Sequence, residues 1–82
     1  MKWKRRDLAM GIGSPIYAYE AHGETGTWRI TKDDDGTWTI RRMKPNEMRY
    51  RVYMRGIDRL WEARDRAERC DESESQGYML TV

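Results

Sequence analysis

Arg29, Thr31, Thr39, Arg41, Arg49, Arg51 and Tyr53 are all odd-numbered, and in extended backbone alternate residues share one side of a sheet. Guanidinium groups fork onto phosphate oxygens or guanine edges. Threonine hydroxyls bond to either, and a tyrosine ring packs against sugar or base. Thr27 and Thr37 extend the set, and no acidic residue stands at an odd position within these strand segments. Such a face invites an anion, and a sheet or β-ribbon of this width enters a major groove. The same residues also suit a solvated sheet face, where arginine stems cover apolar surface, or acidic groups on a protein partner.

No second constellation offers chemistry. His22 is the sole histidine and sits beside a glycine-rich turn, with no Ser or Cys at a spacing that suggests a base partner. Cys70 is the sole cysteine, which excludes an internal disulfide and a thiolate metal cluster and suits a reducing compartment. Between Arg69 and Asp71 it reads as a helix-edge packing residue. Asp33, Asp34 and Asp35 lack the ligand spacing and closing Glu of a calcium loop, so they read as turn formers. Gly11-Ile12-Gly13 lacks the third glycine of a dinucleotide fingerprint and reads as part of a turn ending at Pro15. The expectation is a protein without catalytic residues, metal or cofactor.

The elements that must position the odd-numbered face are set by a duplication. Gly-Thr-Trp-x-Ile occurs at Gly26–Ile30 and again at Gly36–Ile40. Trp28, Ile30, Trp38 and Ile40 have even numbers and share a face only if the connecting loop has an odd length. Three residues satisfy this, with Asp34 and Asp35 in a type I turn and Gly36 in the left-handed position. Ile30 then faces Ile40, Thr31 faces Thr39, and Arg29 faces Arg41. Ile16–Ala21 alternates as a neighbouring strand, and a short strand near Trp3 is a further candidate. Arg49–Met54 also alternates, and is expected to bury Tyr50, Val52 and Met54 while exposing Arg49, Arg51 and Tyr53.

Gly56 ends that strand, and Asp58 precedes a helix expected over Arg59 to Cys70, with Ile57, Leu60, Trp61, Ala63 and Ala67 on its apolar side. Asp71 to Gly77 is acidic and small and reads as a flexible connection. Tyr78–Val82 turns apolar and reads as a terminal strand, within the chain or against a second copy. The expected architecture is α+β, a three- to four-stranded antiparallel sheet with one C-terminal helix packed on one face. Its divisions are a basic segment at 1–15, a sheet-plus-helix domain at 16–70 and a linker with a terminal strand at 71–82.

Eighty-two residues allow one domain, which buries about 60–65% of its unfolded surface. Four Trp, five Tyr and six Met must therefore fill the core, with no Phe. Charged residues make up 37%, yet the net charge is only +2, so a polyanionic partner must be argued from where the charge is placed. No run is long or apolar enough for a signal peptide or a membrane span, and a cytoplasmic protein is expected.

The order of two Gly-x-Trp-x-Ile strands, an Asp-rich turn, a third strand and a helix with Leu60, Ala63, Ala67 and Glu68 resembles small uncharacterised proteins of actinobacterial phages. It is also similar in layout to the arm-binding domain of tyrosine-family phage integrases and to plant ethylene-response-type DNA-binding domains. The resemblance covers about residues 26–70 and implies a sheet backed by one helix. In the DNA-binding families the exposed sheet face contacts DNA, which here corresponds to Arg29, Arg41, Arg49 and Arg51. The implied role is a phage-type accessory protein acting on nucleic acid in a bacterial host cytoplasm. The alternative is an interaction module directed at a host protein or at itself as a homodimer.

Overall fold

The duplicated motif folds as the hairpin that its parity requires. In the computed structural model, which describes residues 1–9 and 16–80, β1 (Lys4–Ala9), β2 (Ile16–His22), β3 (Thr27–Lys32), β4 (Trp38–Met43) and β5 (Arg51–Ile57) precede α1 (Leu60–Leu80). The strands form one antiparallel sheet in chain order. Ile30 faces Ile40, Thr31 faces Thr39 and Arg29 faces Arg41. The Gly36 N–H donates to the Asp33 carbonyl at 3.0 Å, and Gly36 takes a φ of +87° that a Cβ would make costly. The Thr37 N–H and hydroxyl both donate to the Asp35 carboxylate, confirming the turn-forming role of these aspartates.

Among the described residues the sheet has five strands, not three or four. The added strand is β1, which pairs with β2 from Lys4↔Glu20 to Ala9↔Ile16 and draws the basic N-terminal run into the sheet. The expected turn at Gly11-Ile12-Gly13 lies outside the described residues.

On the inner face Trp28, Ile30, Trp38, Ile40 and Ile57 form the core with Ala63 and Ala67 of α1, and Tyr19, Met54 and Leu60 pack around them. The alanines let the helix approach the tryptophan rings closely, so two small residues seat two very large ones. Trp3 adds a tie from the N-terminus, its indole N–H donating to Glu68 at 2.7 Å. Trp61, expected on the apolar side, is instead 65% exposed.

α1 runs 21 residues and takes in the stretch expected to be a flexible connection, and Tyr78–Leu80 continues as helix where a strand was expected. Thr81 and Val82 lie outside the described residues. The physical reason is Asp71. Continuing the Leu60, Ala63, Ala67 spacing by four residues, it aims its carboxylate into the turn between β2 and β3. There it accepts the Glu24 N–H at 2.8 Å, the Thr25 N–H at 2.9 Å, the Thr25 hydroxyl at 2.6 Å and the Trp28 indole N–H at 3.1 Å. Farther along, Glu74 pairs with Arg42 at 2.7 Å. Acidic residues that look like linker are thus the helix's polar contacts with the sheet.

Candidate nucleic-acid interface

A row of residues crosses the outer face from edge to edge. Lys4 faces Glu20, Glu20 faces Arg29, Arg29 faces Arg41, and Arg41 faces Val52. With strands about 4.8 Å apart, the backbone positions of Lys4 and Arg41 are about 14 Å apart. The next row runs Arg6, Ala18, Thr31, Thr39. Helix α1 packs against the opposite face, and among the described residues no further helix or strand lies over this one, although Ala18 and Thr39 within it are buried.

Of the expected site residues, the hairpin ones arrive where parity puts them. Arg29 and Arg41 stand side by side, and Arg41 donates to the Thr31 hydroxyl at 2.6 Å. Thr39 is buried and its hydroxyl donates to the Asp33 carboxylate, so it holds the turn and presents nothing to a ligand.

The other three do not join them. Ile40 faces Met54 but Arg41 faces Val52, so one extra residue, Tyr53, is inserted in β5 at that point. A bulge of this kind flips every side chain beyond it to the other face. Arg51 consequently faces Arg42, whose guanidinium lies over the Trp28 ring at 5.0 Å on the helix side, and pairs with Glu47 at 3.0 Å. Tyr53 meets Trp28 edge-on at 5.5 Å. Val52, expected inside, is exposed on the outer side, and Tyr50 moves out as well, its ring lying 4.1 Å from the Arg29 guanidinium. Arg49 is exposed and precedes the strand.

The outer face also carries an acid that the expectation lacked. Glu20 of β2 pairs with Arg29 and with Arg6, the latter at 3.3 Å. Its side chain is 12% exposed and that of Arg29 24%, whereas Arg6 remains 68% exposed. Burial, followed by the nearby Glu20 charge, pushes the Tyr50 phenol above its ordinary value, so the ring stacked on Arg29 is neutral at physiological pH. Lys4 and Arg6 are the cations that sequence reading missed. Their signal was available in the alternation of Lys2, Lys4 and Arg6 at even positions. Together with Glu20 and His22 these three line a recess of about 570 Å³ at the β1–β2 edge.

On the helix side, Cys70 donates its thiol to Glu74 at 2.9 Å. Burial, and then that bond, push the thiol's pKa up, so it stays protonated and packs as a small side chain. Beside it, Tyr53, Met54, Trp61, Arg66 and Arg69 border an open groove of about 660 Å³. Among the described residues, no helix is long and apolar enough to cross a membrane. Nor do three or more His, Cys, Asp or Glu side chains come together to hold a metal ion among them. No family model, no curated protein and no solved structure matches this chain.

Proposed function

We propose that this chain is a small, non-enzymatic accessory protein of phage type that binds nucleic acid through the outer face of its sheet in the host cytoplasm. The observation that carries this reading is the gathering of Lys4, Arg6 and Arg41 onto the sheet face opposite α1, with Thr31 and Tyr50 between and beside them. Cations on this face contact phosphates and position a nucleic acid, and the hydroxyl and ring add contacts that depend little on base identity. The bulge at Tyr53 moves the proposed interface from β3–β4–β5 toward β1–β2–β3–β4.

Three phosphate contacts give a log–log salt slope on the order of −3 for duplex DNA. Fluorescence anisotropy of a labelled duplex and a labelled single strand, titrated from low to high salt, reads this directly. Absence of binding to both strands at low salt overturns the reading.

A second reading, an interaction module for a host protein, is favoured by Trp61, which lies 65% exposed beside the groove at β5. Its mark would be partner capture that survives nuclease treatment and is lost in Trp61→Ala.

A further inference from the structure

Glu20 lies between the cations of the outer face, and the row reads Lys4, Glu20, Arg29, Arg41 across four strands. Its carboxylate already satisfies Arg29, through both the Nε and the terminal nitrogen, and reaches the terminal nitrogen of Arg6. Both Arg29 nitrogens meet the single oxygen Oε2 while Oε1 accepts from Arg6, so one carboxylate bridges two guanidinium groups as the separate oxygens of a phosphate would. Glu20 is largely buried in this arrangement while Arg6 is mostly exposed.

We infer that Glu20 is an internal phosphate mimic that occupies Arg29 and so limits how tightly, and through how many contacts, the outer face holds a polyanion. This rests on the nucleic-acid reading above and concerns its regulation. With Glu20 in place, Arg29 serves as a positioning residue, held by the carboxylate on one side and stacked on Tyr50 on the other. The phosphate contacts then fall to Lys4, Arg6 and Arg41. Without the carboxylate, Arg29 becomes a fourth contact in the middle of the row, and Arg6 is relieved of its competing acid.

Releasing one cation to phosphate steepens the salt slope by about one. The test compares the full chain with Glu20→Gln and with Glu20→Gln/Arg29→Gln on a labelled duplex and a labelled single strand, each variant first checked for its fold by circular dichroism. Glu20→Gln is expected to bind several-fold tighter at low salt, with a slope steeper by about one, and the double variant to give back that extra unit. Should Glu20→Gln not fold, Glu20→Ala carries the same expectation. If the wild-type chain binds and removing the carboxylate leaves affinity and slope unchanged, the mimic is refuted while the binding reading stands. The mimic is equally refuted if the single and double variants share one slope. Should the wild type bind neither the duplex nor the single strand at low salt, the binding reading itself falls and the mimic with it.

Discussion

Asp71 accepts the Thr25 hydroxyl at 2.6 Å across 46 positions of sequence, and the same carboxylate oxygen takes the Trp28 indole N–H. One buried anion thus ties the second half of α1 to the turn that begins the Trp hairpin. Removing it leaves two backbone N–H groups, a hydroxyl and the buried Trp28 indole N–H without their acceptor. Asp71→Ala is expected to cost about 3 kcal/mol, since several charge-assisted hydrogen bonds are lost together. Urea unfolding followed by tryptophan fluorescence measures it, and an unchanged midpoint would remove Asp71 from this role.

The same carboxyl gives the fold an acid limit. Burial by itself raises its pKa, but the bonds from Thr25, Trp28 and Glu24 outweigh burial and hold it below the ordinary carboxylate value. A folded pKa below the unfolded one means that, as pH falls, the unfolded chain takes up the proton first. The contribution is complete above the ordinary value and is lost as pH falls through the folded one. Glu74, held low by its bonds to Cys70 and Arg42, acts in the same direction. Thermal melts of Asp71→Asn between about pH 6 and 2 are expected to fall less steeply with acid than those of the wild type. Parallel curves would contradict this.

Glycines at two turns should differ in what they tolerate. A Cβ on Gly23 would stand 2.5 Å from the Asp71 carboxylate oxygen, inside a bonded cluster that has little freedom to move. A Cβ on Gly36 meets nothing within 4 Å and suffers only from its positive φ. Gly36→Ala is expected to cost about 1 kcal/mol and Gly23→Ala about 2 kcal/mol or more. Equal losses would mean that the carboxylate shifts freely to make room.

Arg6 and Arg51 separate an interface on β1–β4 from one that includes β5. Arg6→Gln is expected to make the salt slope of nucleic-acid binding shallower by about one, because one phosphate contact is lost. Arg51→Gln, on the helix side and paired with Glu47, should leave the slope where it was. The reverse result would return the interface to β5.

Much of this fold was legible in the order of residues alone. The duplicated Gly-Thr-Trp-x-Ile required an odd loop and set the side on which Arg29 and Arg41 emerge, because a period of two buries both tryptophans only then, and the Asp34-Asp35-Gly36 turn selected the register of Ile30 with Ile40. Leu60, Ala63 and Ala67 marked the helix for the same reason of periodicity. Three things were decided only in the tertiary structure. The bulge at Tyr53 reversed Tyr50, Arg51 and Val52, since a single inserted residue is invisible to an alternating pattern that reads the same on either side of it. Asp71 extended the helix, since the bonds that make it stable there come from residues 24, 25 and 28 and leave no trace in its neighbours. Glu20 came to rest against Arg29 because β2 pairs beside β3, a proximity that strand order creates and local sequence does not contain.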